Sequence, residues 1–324
     1  MFRNLKITCS LKEVRDCISG RLKKKFDIDA DADQIILTSG ANQAFMNAIL
    51  ALFDEGDEVL LPTPFYFNHD MALKMCGVKP VYLEWNSLEI NRELIEKNIT
   101  EKTKAIVIVN PSNPLGTSYD LKDINCIKEI ALEHDLYIIS DETYMEIIFE
   151  DKKHISPAMD KRVEDRTILI SSFSKSLAVP GFRIGFMKIP RELVSQIMKV
   201  QDTIAICAPH LSQLAVLHLM PKIDTFLETH LFELQRRRDI IEEFLNDNDI
   251  QWIKPHGGLF CMININNENS LEFCLELVRK TGVILIPGSS FGNSTQSWVR
   301  LSFGSTPRAI LTNGLDRIKS FLGA

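Results

Sequence analysis

Thr167-Ile-Leu-Ile-Ser-Ser-Phe-Ser-Lys175 decides the fold of this chain. Its first four residues are a short apolar run rich in β-branched side chains, the pattern of a buried strand. The run then stops on Ser172-Phe-Ser-Lys175, and Pro180-Gly-Phe-Arg-Ile-Gly185 follows. Two further runs end the same way. Ala105-Ile-Val-Ile-Val109 meets Asn110-Pro-Ser-Asn113, and Leu136-Tyr-Ile-Ile139 meets Ser140-Asp-Glu-Thr-Tyr144. Apolar strands without strict alternation are buried on both faces, as in a mainly parallel sheet. In such sheets ligands collect beyond the carboxyl ends of the strands. Asn, Asp, Tyr and Lys are therefore expected along one sheet edge. A lysine there is well placed to condense with an aldehyde cofactor.

Working outward, residues 11–26 have the spacing of an amphipathic helix, with Leu11, Val14, Ile18, Leu22 and Phe26 near one face. Ile35-Ile-Leu37 reads as a strand, 41–52 as a helix and Glu58-Val-Leu-Leu61 as the next strand. Helices and strands alternate to about residue 190, the order of an α/β sheet with helices on both faces. Residues 191–245 are helix-rich; Leu211 to Leu245 fits one long helix or a pair. Beyond it come strands at Leu259–Ile263, Val283–Ile286 and Trp298–Ser302, with helices over 270–280 and 308–321. The expected architecture is a large domain over 1–240, including the start of a linking helix, and a smaller C-terminal α/β domain over 241–324.

The chain has 324 residues, enough for two such units. A formal net charge of -6 and no long basic block give no support to nucleic-acid binding. No stretch has the length of a membrane span, and the start lacks a signal-peptide core. Cys9, Cys17, Cys76, Cys126, Cys207, Cys261 and Cys274 are scattered, as expected of reduced thiols in the cytoplasm. The histidines form no metal-ligand cluster, so no metal is expected.

Chemistry gathers around Lys175. Asp141 is a candidate partner for a pyridine nitrogen, where a carboxylate favours the protonated, electron-withdrawing ring; taken alone it reads more readily as a helix N-cap. Asn113 and Tyr144 can reach a ring hydroxyl, although Asn110-Pro-Ser-Asn-Pro114 alone is only a turn. Gly40-Ala41-Asn42 lies at a strand-to-helix junction, where free amides bind phosphate. Ser172 and Ser174 offer hydroxyls. Arg183, among apolar neighbours, is expected to be buried on an anion such as that phosphate. Tyr66 can stack on a ring face. Arg300 can hold a carboxylate bidentately or close an internal salt bridge.

These motifs resemble the class I/II aminotransferases of the fold-type I pyridoxal-phosphate enzymes. The matches are Ser39-Gly-Ala, Asn110-Pro-Ser-Asn-Pro-Leu-Gly116, Asp141-Glu-Thr-Tyr144, Ser172-Phe-Ser-Lys175, Gly181-Phe-Arg-Ile-Gly185, Pro287-Gly-Ser-Ser-Phe-Gly292 and Arg300-Leu-Ser-Phe-Gly304, in family order. The resemblance implies a seven-stranded sheet and pyridoxal 5'-phosphate held covalently by Lys175. It implies Asp141 on the pyridine nitrogen, Asn113 and Tyr144 at the ring hydroxyl, and Tyr66 stacked. It puts Ser172, Arg183 and Gly40-Ala41-Asn42 on phosphate and Arg300 on the substrate carboxylate. Lys175 also acts as the proton-transferring base. The implied activity moves an amino group between an L-amino acid and a 2-oxo acid in a homodimer. β-Elimination uses the same Lys175 and Asp141 and stands as an alternative. The resemblance departs at the amino terminus, where members carry some tens of further residues; Ser10 holds the place of a family glycine and Leu5 that of a tyrosine. A shortened start, with a weakened dimer or a low-activity scaffold, is the expectation drawn from that departure.

Overall fold

The computed structural model describes residues 10–84, 90–150 and 152–323. The expectation at Leu5 lies outside the described residues. The large sheet contains β1 (Ile35–Thr38), β2 (Glu58–Pro62), β3 (Lys79–Leu83), β4 (Thr103–Val109), β5 (Tyr137–Asp141), β6 (Thr167–Ser172) and β7 (Gly185–Lys188). Their order is β1-β7-β6-β5-β4-β2-β3. The pairs among β2 to β6 are parallel, and β7 runs antiparallel to both β1 and β6.

Helices cover both faces because alternate strand residues point to opposite sides. Ile106, Ile108 and Ile138 cluster with Ile124 and Ile127 of α5 (Leu121–Glu133). Val107, Ile139 and Ile168 cluster with Phe45 and Ile49 of α2 (Ala41–Leu52). Leu37, Leu169 and Phe186 meet Val14, Ile18 and Leu22 of α1 (Lys12–Phe26). Each such side chain contributes about 1.5–3 kcal/mol when fully buried. Short helices α3 (Phe67–Met75) and α4 (Arg92–Lys97) complete the crossovers on the β3 side. Asp120 caps α5 by accepting from Asp123 N at 2.9 Å, a bond worth about 1 kcal/mol.

The reversal of β7 matters most for the site. The chain leaves β6 through α6 (Phe173–Ser176) and returns as β7, with Gly185 opposite both Ser172 and Thr38. The ends of β1 and β6 and the start of β7 therefore meet at one edge. Val109 and Asp141 are paired in register at the same edge.

The helical region resolves into α7 (Val194–Ile204), α8 (His210–Leu219) and α9 (Ile223–Asp247). Pro221 sits in the turn between α8 and α9, so the stretch from Leu211 to Leu245 is a pair of helices. The small sheet has β8 (Trp252–Ile253), β9 (Phe260–Asn264), β10 (Ile286–Pro287) and β11 (Trp298–Ser302), antiparallel in the order β10-β11-β9-β8. It packs with α9, α10 (Ser270–Thr281) and α11 (Arg308–Leu322) in one apolar cluster. The strand expected over Val283–Ile286 shrinks to Ile286–Pro287. Gly282 ends α10 in the left-handed region, and Pro287 has no amide hydrogen to extend the ladder.

The two sheets are joined through backbone. Gly116 O accepts from the amides of His256 and Gly257 at 2.8 and 2.9 Å. Gly116 has φ +73°, and a Cβ there would lie 2.5 Å from Pro255 Cβ and 2.6 Å from Phe260 O, so only glycine fits.

Lys188 lies at the far end of β7, fully buried, with no partner for Nζ among the described residues. Burial pushes its pKa down. Below the ordinary lysine value the unfolded chain holds this proton more readily, so stability rises with pH toward the model-peptide value of 10.5. Lys188→Met is expected to raise unfolding free energy at pH 7 by about 1–3 kcal/mol. Urea denaturation at pH 7 checks it; an unchanged or lowered midpoint would show that Nζ is paired in solution.

Candidate active site

At the shared edge a cleft of about 320 Å3 is lined by Ala41, Asn42, Tyr66, Asn113, Asp141, Tyr144, Ser172, Ser174, Lys175, Arg183 and Arg300. Every expected site residue lines it except Gly40, which caps the helix behind Ala41. Among the lining side chains, Lys175, Arg183 and Arg300 are cationic and Asp141 is anionic. That balance favours an anionic ligand.

Lys175 is half-buried on the short turn α6, whose first residues are fixed by Ser172 Oγ accepting from Ser174 N at 3.2 Å. Among the described residues no acidic neighbour pairs with it. Burial, then the charges of Arg300 and Arg183, push its pKa down. Its amine therefore reaches the uncharged, nucleophilic form closer to neutral pH than an exposed lysine does.

Asp141 is buried at the end of β5. Its Oδ1 accepts from Thr143 N at 3.1 Å, and Oδ2 lies 3.1 Å from His69 Nε2. A carboxylate accepts, so Nε2 carries the hydrogen. The His69 ring stacks on Phe45 at 4.1 Å and meets the Tyr66 ring edge-on at 5.2 Å. His69 was not among the expected site residues. The available signal was its place three residues after Tyr66, which puts both on one flank at the start of α3.

Tyr144 is buried, with its ring edge-on to Phe260 at 5.3 Å. Burial and then the nearby Asp141 push its phenol well up, so the hydroxyl remains a donor. Asn113 Oδ1 accepts from Arg300 Nη1 at 2.8 Å. That bond orients the amide and leaves its NH2 group as the free donor.

Arg300 has no carboxylate partner among the described residues, and its buried Nε is unpartnered. The internal salt bridge weighed for it is not formed there. Its guanidinium lies between the rings of Phe260 and Phe291, at 5.0 and 5.1 Å. Burial pushes its pKa down, and the two aromatic faces favour the cation. The free edge of this planar fork matches a carboxylate.

Arg183 corrects an expectation. It is exposed at the cleft margin, not buried. The short helical turn Pro180–Phe182 ends with Arg183 at φ 48°, which carries it outward. Its guanidinium donates to Pro180 O and Ser39 O, both at 3.0 Å. A Cβ on Gly40, which has φ +88°, would lie 2.5 Å from Arg183 Nη2. Glycine thus leaves room for the arginine over the start of α2. Gly40 supplies no side-chain cap, so the first amides of α2 remain available. With Ser172, Ser174 and Arg183 they form a cradle suited to a phosphate.

The residues fit pyridoxal 5'-phosphate on chemical grounds. The cleft joins a phosphate cradle, a buried carboxylate, two hydroxyl-directed donors and an unpaired lysine.

Comparison with known proteins gives the same answer. A family model described as aminotransferase class I and II matches residues 3–318. An aspartate aminotransferase of Pyrococcus abyssi is 34% identical over 320 residues, which cover 96% of this chain and 82% of that protein. The (5-formylfuran-3-yl)methyl phosphate transaminase of Methanocaldococcus jannaschii is 35% identical over 311 residues, covering 96% and 81%. The crystal structure of an aromatic aminotransferase from Pyrococcus horikoshii superposes with a TM-score of 0.92 at 32% identity, covering 97% of this chain and 86% of that one.

Proposed function

The chain belongs to the class I and II aminotransferases, pyridoxal-phosphate-dependent enzymes that move an amino group between an amino acid and a 2-oxo acid, and on that premise we propose the role of each residue in its cleft. Pyridoxal phosphate, when bound, supplies an aldehyde that bonds amines and a ring that draws electrons from the carbon attached to them. Lys175 Nζ holds that aldehyde at rest. As a free amine beside the amino donor's Cα, Lys175 Nζ would take the Cα proton. Its lowered pKa suits it to accept a proton and return it near neutral pH.

Asp141 would face the pyridine nitrogen and favour a proton there, with His69 and Thr143 N fixing its two oxygens. Asn113 and Tyr144 donate to the ring oxygen. Tyr66 covers one ring face. The α2 amides of Ala41 and Asn42, opened by Gly40, hold the phosphate with Ser172, Ser174 and Arg183. Arg300 takes the α-carboxylate, assisted by Asn113. The carrying observation is Arg300, with no carboxylate partner among the described residues, lining the same cleft as Lys175, which has no ion pair among them.

The large domain is assigned to 1–240 and the small domain to 241–324, with the division inside α9. A homodimer is supported by the exposed apolar side chains of Phe182, Ile204, Ile206 and Leu211. Leu211 adjoins the turn that carries Arg183, where Ser212 Oγ donates to Phe182 O at 2.6 Å. A cytoplasmic setting is supported by the free thiols of Cys17, Cys76, Cys126, Cys261 and Cys274, with burial pushing the Cys261 thiol up to about 12.

A half-reaction tests the activity. Mixing the holoenzyme with an amino donor, without acceptor, is expected to release one equivalent of 2-oxo acid per cofactor. No 2-oxo acid from any donor in a broad panel would refute it. Arg300→Ala is expected to raise KM for amino acids about 10- to 100-fold while the cofactor stays bound. An unchanged KM for acidic, aromatic and aliphatic donors alike would show Arg300 to be structural only.

A further inference from the structure

A second open cleft, of about 660 Å3, lies beside the catalytic one, and Phe67 borders both. Phe67, Asp70, Met71 and Lys74 follow one another along a flank of α3 and line the second cleft together. The opposite side comes from the small domain, through Ile286, Pro287 and Ser290. The seam between the sides is hydrogen-bonded: Phe65 N donates to Phe291 O at 3.0 Å, and Thr63 Oγ1 lies 3.0 Å from Ser294 Oγ. The Phe67 ring packs on Phe291 at 5.8 Å, and Phe291 is one of the two rings that sandwich Arg300. Phe291 thus links the ring at the border of the second cleft to the carboxylate-binding arginine. A donor held by Arg300 presents its side chain next to this partition.

We propose that the second cleft receives the distal part of the amino donor's side chain, that Phe67 is the partition residue at its entrance, and that the donors it selects carry large uncharged apolar or aromatic side chains. The inference rests on the aminotransferase reading. Shape and charge both support this class. Phe65, Phe67, Met71, Ile286 and Pro287 give the cleft an apolar side, and Met71 is 56% exposed and so has surface to cover. The cation here, Lys74, pairs with Asp70 at 2.9 Å, and Tyr82 OH also donates to Asp70, at 2.6 Å. Glu84 adds a second carboxylate to the lining. Among the described lining residues, Asp70 and Glu84 against Lys74 leave an excess of one negative charge. A distal carboxylate would enter against that excess with no free cation to meet it.

Filling the cleft tests the proposal. Met71 lies outside the catalytic machinery, and Met71→Trp places an indole in the cleft. With holoenzyme, kcat/KM for phenylalanine is expected to fall at least about tenfold while that for alanine changes less than about twofold. Binding gives a second readout: by calorimetry, the affinity for 3-phenylpropanoate should weaken and that for propanoate should hold. Ser290→Trp narrows the cleft from the other side and serves if Met71→Trp does not fold. Equal effects on phenylalanine and alanine, or no effect on either, would overturn the proposal. So would a wild-type preference for dicarboxylic or diamino donors over phenylalanine. Turnover of alanine with an unchanged phenylalanine-to-alanine ratio in the variants would refute the cleft assignment alone. No 2-oxo acid from any donor would refute the aminotransferase reading instead.

Discussion

Lys175→Ala is expected to lower amino transfer by about 10⁴-fold or more, the largest effect of any single change in the cleft. One amine is asked to do two things. In the proposed mechanism it holds the aldehyde of the cofactor and takes the proton from Cα. No neighbouring group can replace it. Arg183 donates to Pro180 O and Ser39 O, Arg300 donates to Asn113, Asp141 is engaged with His69 and Thr143, and the Tyr144 phenol is pushed well up by burial. The fold should survive the change. Lys175 is only half-buried and has no ion pair among the described residues, so its removal orphans no buried partner there. Steady-state turnover measured beside far-UV circular dichroism checks both statements. Activity within tenfold of wild type, with an intact spectrum, would place the proton transfer elsewhere.

Asp141→Asn is expected to cost about 10²- to 10³-fold in kcat, with little change in KM. The amide has nearly the carboxylate's shape: its oxygen can still accept from Thr143 N, and its NH2 group, in the place of Oδ2, can donate to His69 Nε2 in the other ring tautomer. It cannot carry the negative charge that favours a proton on the pyridine nitrogen. The ring then draws fewer electrons from the reacting carbon, and the loss falls on the chemical step rather than on binding. The comparison of kcat with KM is the check. A loss confined to KM, or no loss, would assign Asp141 to capping the turn after β5, which was its alternative reading.

Much of this site was legible because buried strands leave a strong trace. Val109, Asp141 and Ser172 each stand where an apolar run ends, and parallel pairing brings such ends to one edge. Asn113, Asp141 and Lys175 could therefore be placed together before any geometry was known. Contacts set by tertiary packing were less legible. His69 touches Asp141 across 72 positions, and the link depends on how α3 is rotated against β5. The aromatic sandwich around Arg300 draws Phe260 and Phe291 from separate segments. Arg183 looked buried because its neighbours in sequence are apolar, but a short turn at positive φ carries it to the margin. In the helical region, periodicity alone allowed one helix or two, and Pro221 set the break. The third strand of the small domain was overestimated because Val283 and Ile284 are β-branched, yet Ile284 is 75% exposed beside the Gly282 turn.

The central claim is that this cleft holds pyridoxal phosphate on Lys175. Borohydride reduction of the holoenzyme, followed by proteolysis and mass spectrometry, tests it most directly. The account predicts one phosphopyridoxyl adduct per chain, on the peptide that contains Lys175. An adduct on any other lysine, or none on a chain that carries the cofactor, would contradict it.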